Sequence, residues 1–140
     1  SFESNPCDVW GLVSNTQYQL HLQSYCVGYK SGVLAAPPLL NFWDEVRLQP
    51  TKLDLILRYE IGLYPLLTAA QLRVGVAFPY DLVVNVGENP TIAGWRRLLS
   101  WDFPWVKREL VLKCPVEAPD AIDVRQVVLD RFGQDVQEWI

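Results

Sequence analysis

Val9-Trp10-Gly11-Leu12-Val13 is a short apolar run near the start of the chain, and it predicts a β-strand. Polar and apolar side chains then alternate over residues 18–29, and this period of two predicts a second strand. A third apolar run over residues 74–78 ends at Pro79 and predicts a third strand. Helical signals occupy most of the remaining chain, so the sequence predicts an α/β fold.

The strongest helical pattern covers residues 51–70, with Thr51 as a candidate N-cap. Gly62 and Pro65 lie inside this pattern, so we expect the helix to bend or break after Glu60. Asn89 is a second candidate N-cap. Further helices are predicted over residues 37–46, 92–101, 105–112, 119–132 and 136–140. The predicted fold is a small sheet of about three or more strands with four to five helices, forming a single domain or partial domain over residues 1–140.

Composition excludes several classes of protein. Hydrophobic residues make up 50% of the 140 residues, which is too apolar for a disordered chain. Twelve basic and sixteen acidic residues give a net charge of −4, which argues against nucleic-acid binding through phosphate neutralisation. No apolar run approaches the roughly 18 residues of a membrane span. The chain contains no methionine and begins at Ser1, which predicts that it is a piece of a longer chain.

Metal and nucleotide sites of the common kinds have no motif in this sequence. The three cysteines lack CxxC spacing and there is one histidine, so a zinc site is not predicted and the thiols are expected to be reduced and mostly buried. The sequence has no GxxxxGK[ST] or GxGxxG loop, no GxSxG, no HExxH and no Asp-x-Asp pair. Asp120 and Asp123 are expected to act as caps or dipole partners at a helix start rather than as metal ligands.

Glu60 is the first candidate for chemistry because it occupies the apolar stripe of the predicted helix. A carboxylate in that position loses solvation unless it is paired, and acid–base catalysts occur in such places. The alternative is a structural ion pair or hydrogen bond with an arginine such as Arg47 or Arg73.

His21 and Gln23 share one face of the second predicted strand, and Tyr25 follows them. An imidazole and an amide at the lip of a cleft are suited to binding sugar hydroxyls. The alternative is a histidine that has only a structural role. Six tryptophans offer platforms for sugar rings, although most are expected to pack in the core.

Six blocks of the sequence, read together and in order, carry a more specific likeness. Asp8-Val9-Trp10-Gly11-Leu12 is similar to D-F-W-G-[IL]-T, His21-Leu22-Gln23-Ser24-Tyr25-Cys26 to H-x-Q-S-Y-F, and Tyr59-Glu60-Ile61-Gly62-Leu63 to Y-E-x-G-L. Phe42-Trp43, Asn89-Pro90-Thr91 with Trp95, and Phe103-Pro104-Trp105-Val106-Lys107-Arg108-Glu109-Leu110 complete the pattern. The chain departs from it at Val13, where threonine is usual, and at Cys26, where phenylalanine is usual. From Cys7 to Pro119 the chain resembles the rhamnan synthesis protein F family of bacterial glycosyltransferase-like proteins, which take part in rhamnan, O-antigen and capsule synthesis for the cell wall.

This resemblance implies the acceptor-side, C-terminal half of a GT-A-like glycosyltransferase domain. The domain would move a sugar, rhamnose by the family's name, from a nucleotide-sugar donor to a growing cell-surface polysaccharide. It implies Glu60 as the general base or acceptor-hydroxyl ligand, with Asp8 as the second catalytic candidate. His21 and Gln23 would contact the donor sugar or diphosphate, and Lys107 would neutralise phosphate charge unless it belongs to a solvated helix face. Substrate-binding roles also fall on the other motif positions, which are Trp10, Gly11, Ser24, Tyr59, Asn89 and Thr91.

The resemblance also sets expectations for cofactors, partners and location. No cofactor is expected in this chain, and a divalent metal would be bound by an acidic motif upstream of Ser1. Partners would be the nucleotide sugar, the glycan acceptor and other polysaccharide-assembly proteins, in the cytoplasm at the inner face of the membrane. Two other readings stay open: a non-catalytic carbohydrate-binding or assembly module, and an interaction domain that packs a partner against its tryptophans. Alone, the chain is expected to be inactive.

Overall fold

The computed structural model describes Ser4 and residues 6–139. Its sheet is built around strand β1 (Val9–Asn15), which has three neighbours. Strands β2 (His21–Leu22) and β3 (Val27–Tyr29) both pair with β1 in antiparallel fashion, while β4 (Val74–Phe78) pairs with it in parallel. The chain is therefore a mixed α/β protein with a small mixed sheet of four strands in its described part, which confirms the predicted fold class.

The returning chain of the β1 hairpin carries a bulge. Ser14 pairs with Leu22 at one end of the hairpin and Gly11 pairs with Val27 at the other. Between these pairs β1 has two residues, 12 and 13, whereas the returning chain has four, 23–26. The single strand predicted over residues 18–29 is therefore wrong: it is two short strands separated by this bulge, which bends the chain and redirects its side chains.

Short helices follow the strands, and in the described residues they are more numerous than the four or five predicted. The α-helices are α1 (Ser31–Leu34), α2 (Pro37–Asp44), α3 (Lys52–Leu55), α4 (Leu63–Ala69), α5 (Tyr80–Val83), α6 (Pro90–Ala93), α7 (Trp95–Ser100), α8 (Arg108–Lys113) and α9 (Val124–Phe132). A π-helix spans Ile56–Ile61, and 3₁₀ turns span Pro119–Asp123 and Val136–Trp139. Ile140, the last residue of the final predicted helix, lies outside the described residues.

The long helix predicted over residues 51–70 is present but has three parts. Thr51 caps α3 as predicted, because its hydroxyl accepts a hydrogen bond from the Asp54 N–H at 3.1 Å. The chain then widens into the π-helix and returns to α-geometry in α4. Pro65 lies in the first turn of α4, where it has no N–H to donate and its ring crowds the Ile61 carbonyl. The break comes where Gly62 and Pro65 predicted it.

Other local predictions have mixed outcomes. The third strand lies where it was predicted, and Asn89 caps α6 by accepting from the Thr91 N–H at 3.2 Å. The helix expected from residue 105 begins only at Arg108. Asp120 and Asp123 lie at helix starts as predicted, in the first turn of the 3₁₀ turn and at the N-cap position of α9, but their side chains bind Arg96 and cap neither element. The three cysteines form no disulfide, but two are half-buried and the third is exposed, so the expectation that the thiols are mostly buried is wrong.

The hydrophobic core has three clusters. One joins β1 to α2 and α4 through Val9, Leu39 and Leu67. A second cluster lies around Val13, Leu98 and Phe103, and the third holds together the helices of the last third of the chain. Within the described residues, no helix is long and apolar enough to cross a membrane.

Asp8 joins the start of β1 to the start of β4. Its carboxylate accepts hydrogen bonds from the backbone N–H, Nε and Nη2 of Arg73, all between 2.9 and 3.0 Å. These hydrogen bonds, together with the charge of the guanidinium, lower the pKa of Asp8 to about 2. The ion pair therefore helps to set the register of the parallel pair.

Replacing Asp8 by asparagine removes this charge and retains an acceptor. Because the folded-state pKa is depressed, the stabilisation is complete above the unfolded-state value near 4 and disappears as the pH falls towards 2. We expect Asp8→Asn to unfold at a lower temperature than wild type at pH 6, and the difference to shrink between pH 4 and pH 2. Thermal unfolding across this range measures it. Asp44→Asn, which removes an exposed carboxylate without an ion pair among the described residues, is the control. A difference independent of pH would contradict the assignment.

Candidate functional site

A cavity of about 400 Å³ opens where the end of β1, the bulge and the π-helix meet. Its volume is within the range of small-molecule sites, and most of its lining residues carry a polar group beside apolar surface. It is lined by Asn15, Gln17, Tyr18, His21, Gln23, Ser24, Tyr25, Lys52, Leu55, Ile56, Glu60, Asn89 and Lys107. The candidate site is thus formed by segments that are far apart in the sequence.

His21 and Glu60 are neighbours in the wall of this cavity. The Nδ1 atom of His21 lies 2.7 Å from the Gln19 carbonyl oxygen, which can only accept, so Nδ1 carries a proton. Nε2 is thereby directed at Glu60, with 3.8 Å between Nε2 and Oε1. Oε1 also accepts from the Ser24 N–H at 3.2 Å, whereas Oε2 has no hydrogen-bond partner among the described residues. The pair is therefore positioned to accept a proton from a bound hydroxyl at Oε2.

Glu60 reaches His21 from the π-helix rather than from a regular helix. The wide turn is closed by a hydrogen bond of 3.1 Å from the Gly62 N–H to the Leu57 carbonyl. A Cβ atom at Gly62 would collide with the Arg58 carbonyl oxygen, so only glycine fits this turn. Turns of this kind occur frequently at functional sites.

Asn89 links the cap of α6 to the cavity wall. Its Oδ1 accepts from the Thr91 N–H, from the Thr91 hydroxyl at 3.0 Å and from Gln23 Nε2 at 3.0 Å. Its Nδ2 donates to Gln17 Oε1 at 3.3 Å. Both the oxygen and the nitrogen of the Asn89 amide are therefore hydrogen-bonded to protein groups, which gives Asn89 a structural role.

Lys107 supplies positive charge to the cavity. No described residue forms a hydrogen bond or ion pair with its ammonium, although Glu109, Glu60 and Lys52 are close enough to influence it. Burial lowers the pKa of Lys107, and the two carboxylates only partly offset this effect. An ammonium that is half-buried and unpaired is suited to an anionic group of a ligand.

Two further cavities adjoin the site through Lys107. One, of about 480 Å³, is lined by Tyr25, Thr91, Phe103, Trp105 and Val106 as well as Lys107. Tyr25 and Trp105 meet edge to face there with 5.8 Å between ring centroids, and both rings are about half exposed. Burial, with smaller contributions from Cys26 and Glu60, raises the pKa of Tyr25, so its hydroxyl stays protonated at neutral pH. The other cavity shares Gln17, Asn89 and Lys107 with the site.

Six of the eleven residues proposed from the sequence line this cavity: His21, Gln23, Ser24, Glu60, Asn89 and Lys107. Thr91 supports it from behind through Asn89. The arginines considered as partners for Glu60 lie elsewhere, since Arg73 binds Asp8 and Arg47 binds backbone carbonyls.

The other four proposed residues are outside the cavity. Asp8 is seven residues from the cavity end of β1, roughly 20 Å away, and is held by Arg73. Trp10 packs against the second core cluster, and Gly11 leaves room for the side chain of Leu22. The Tyr59 hydroxyl accepts from the Arg47 N–H at 2.8 Å. The structure gives these residues packing and positioning contacts, not cavity contacts.

Several cavity residues were not proposed from the sequence, among them Tyr18 and Lys52. Tyr18 is 68% exposed and has a positive φ of 74°, which is uncommon for a residue other than glycine. Tyr18 lies in the β1–β2 turn, residues 16–20. A tyrosine in a turn is the feature of the sequence from which it could have been proposed as a site residue. No feature of the sequence indicated Lys52 as a site residue, because a lysine in the first turn of a helix is common.

Among the described residues, no group of three or more histidine, cysteine, aspartate or glutamate side chains is arranged to hold a metal ion. No protein-family model, curated protein or solved structure matches the chain. The resemblance to the rhamnan synthesis protein F family therefore stays a prediction, and the function has to be argued from the cavity itself.

The wide turn that carries Glu60 can be tested at Gly62. Gly62→Ala should lower the free energy of unfolding by about 1–3 kcal/mol, because the new methyl group collides with backbone rather than with a movable side chain. Denaturant unfolding measures this change. Gly32→Ala in α1, where an added Cβ meets nothing within 4 Å, is the matched control and should be neutral or slightly stabilising. Equal effects at the two glycines would contradict the role of Gly62.

The charge of Lys107 can be tested with inorganic diphosphate. Below its lowered pKa the ammonium is protonated and attracts the anion, and this attraction is lost as the pH rises through that pKa. We expect the diphosphate affinity of wild type to fall relative to that of Lys107→Arg between pH 7 and pH 9.5, because both proteins meet the same anion and only the lysine loses its charge. Lys107→Gln should weaken binding about tenfold at pH 7, as for loss of a hydrogen bond to a charged group.

Isothermal titration calorimetry measures these affinities. Lys113→Gln, at the other end of α8 and outside the cavity, is the control. Diphosphate affinity that does not depend on Lys107 would place the anion elsewhere.

Proposed function

We propose that this chain forms the acceptor-side part of a glycosyltransferase, in which the cavity binds a sugar and the His21–Glu60 pair deprotonates the attacking hydroxyl. The donor would be a nucleotide sugar and the acceptor a growing cell-surface polysaccharide. The observation that carries the proposal is the Oε2 atom of Glu60, which has no hydrogen-bond partner among the described residues while the Ser24 N–H holds Oε1 in the cavity wall beside His21.

The reaction assigns one task to each group. The acceptor hydroxyl donates to Glu60 Oε2, and its oxygen attacks the anomeric carbon of the donor as the proton passes to the carboxylate. The bond from that carbon to the diphosphate oxygen breaks, and its electron pair leaves with the nucleoside diphosphate. Lys107 offsets the negative charge that develops on the leaving group.

The tautomer of His21 supports this assignment of roles. Because Nδ1–H is held by Gln19, Nε2 is the atom that can share the proton acquired by Glu60. The separation of 3.8 Å between Nε2 and Oε1 is too long for a hydrogen bond, and catalytic contacts of this kind often tighten only when substrate is bound.

The distribution of the sequence blocks also supports the proposal. The blocks that contain His21, Glu60, Asn89 and Lys107 are separated by up to 86 positions, and all four contribute side chains to one cavity. Packing alone does not require polar residues from four distant blocks to line one opening. A shared ligand accounts for the arrangement.

Two parts of the proposal rest on the resemblance alone. These are rhamnose as the transferred sugar and the inner face of the cytoplasmic membrane as the location. A divalent metal that neutralises the donor diphosphate would be held by residues outside this chain. Among the described residues, the lysines that line the cavity are Lys107 and Lys52.

Replacing the carboxylate tests the proposal directly. In the full-length protein, Glu60→Gln should reduce sugar transfer by a hundredfold or more, because the amide cannot accept the proton, while the fold is retained. Transfer from radiolabelled nucleotide sugars to short rhamnans measures this rate, and circular dichroism checks the fold.

The matched control is Glu45→Gln, an exposed glutamate outside the cavity, which should leave transfer unchanged. Unchanged transfer in Glu60→Gln would overturn the catalytic role. Loss of the fold in Glu60→Gln would instead indicate a structural His21–Glu60 pair. Glycan binding without transfer in the wild-type protein would indicate a carbohydrate-binding module.

A further inference from the structure

Gln23 lines the cavity and carries a buried hydrogen-bond acceptor. The residue is only 4% exposed, and its backbone N–H donates to the Val13 carbonyl at 2.9 Å. Its Oε1 is buried and has no hydrogen-bond partner among the described residues. Because almost all buried polar atoms in folded proteins are hydrogen-bonded, an exception in the wall of a cavity points to a ligand.

The orientation of the Gln23 amide is fixed by its neighbours. Asn89 Oδ1 must face Thr91, because it accepts from the backbone N–H that it caps. The atom of Gln23 that faces this oxygen at 3.0 Å must then be a donor, which is Nε2. If the Gln23 amide were flipped, its Oε1 would face Asn89 Oδ1 and the two oxygens would repel each other. Oε1 is therefore the atom of the amide that has no partner among the described residues.

This arrangement selects the chemistry of the ligand group. A free carbonyl oxygen accepts hydrogen bonds and repels the oxygens of a phosphate or carboxylate. The ligand group at this position must therefore carry a hydrogen. An anionic group of the same ligand would instead lie towards Lys107.

We infer that Gln23 Oε1 accepts a hydrogen bond from one ring hydroxyl of a neutral sugar and makes the cavity selective for sugars that carry it. This inference rests on the proposed function. It makes Gln23 a specificity-determining residue that binds a sugar hydroxyl, and not a residue that contacts the donor diphosphate. A site built around such a group rejects an analogue without the hydroxyl, since the buried acceptor is then left unpaired.

The test compares a sugar with its monodeoxy analogues. Methyl α-L-rhamnopyranoside and the analogues that each lack one ring hydroxyl are titrated into the chain by calorimetry. We expect one analogue to bind wild type at least about fivefold more weakly than the parent glycoside. In Gln23→Met, which has similar volume and no acceptor, the parent and that analogue should bind equally.

Gln17→Met is the matched control. Gln17 lines the same cavity, but its Oε1 already accepts from Asn89 Nδ2, so the selectivity for the hydroxyl should persist in this variant. If Gln23→Met does not fold, the side-chain carboxamide carbon of Gln23 in wild type provides a second measurement. Its NMR resonance should shift on titration with the parent glycoside and not with the analogue.

The outcomes separate this inference from the proposed function. Equal binding of the parent and every analogue by wild type, or no binding of any of them, overturns the role of Gln23, whether or not the full-length protein transfers sugar. Selectivity that survives in Gln23→Met also overturns it. Selectivity that depends on Gln23, together with an absence of transfer, keeps this inference and overturns the catalytic function.

Discussion

Strand β1 is the constraint on which the rest of the structure depends. Over residues 9–11 it pairs with β3 on one edge and with β4 on the other, so its backbone is enclosed in the sheet. Val9 and Val13 are fully buried and belong to two different core clusters. The strand therefore joins the helices that follow β3 to those that follow β4, and its carboxyl end marks the position of the cavity.

The bulge opposite β1 forms part of the site beside this strand. Four residues of the returning chain occupy the length of two on β1, so the alternation of side chains is interrupted between β2 and β3. Gln23 stays buried while Ser24 and Tyr25 turn towards the opening, and the Ser24 N–H is left free of the sheet to bind Glu60. A regular hairpin would have used that N–H in a strand pair or directed it at solvent.

The site holds charges of both signs. Glu60 and His21 lie beside the bulge, and Lys107 lies at the N-cap of α8, close enough to Glu60 to be influenced by its charge. This arrangement allows one ligand to present a hydroxyl to the carboxylate and an anion to the ammonium. The Gln23 amide is uncharged, so the selectivity that we infer for it would add no charge to the site.

Local signals in the sequence were enough for several parts of the fold. The caps at Thr51 and Asn89 and the strand before Pro79 depend on one or two residues and their own backbone, so they are predictable from neighbouring positions. The bulge and the π-helix are different. The extra residues of the bulge are set by β1, which lies opposite them. Gly62 and Pro65 predicted the break in the helix but not the π-geometry that forms there.

The sequence by itself determined the α/β class, the short buried strand and the residue types available for chemistry, because these follow from periodicity and composition. It also identified six of the residues that line the cavity, through their motif blocks. Only the tertiary structure decided that Asp8 belongs to an ion pair with Arg73, that Glu60 faces His21, and that the amide oxygen of Gln23, not its nitrogen, is left without a hydrogen-bond partner among the described residues. The physical reason is that hydrogen-bond direction depends on partners distant in the chain: Asn89 is 66 positions from Gln23, and only folding brings the two amides together.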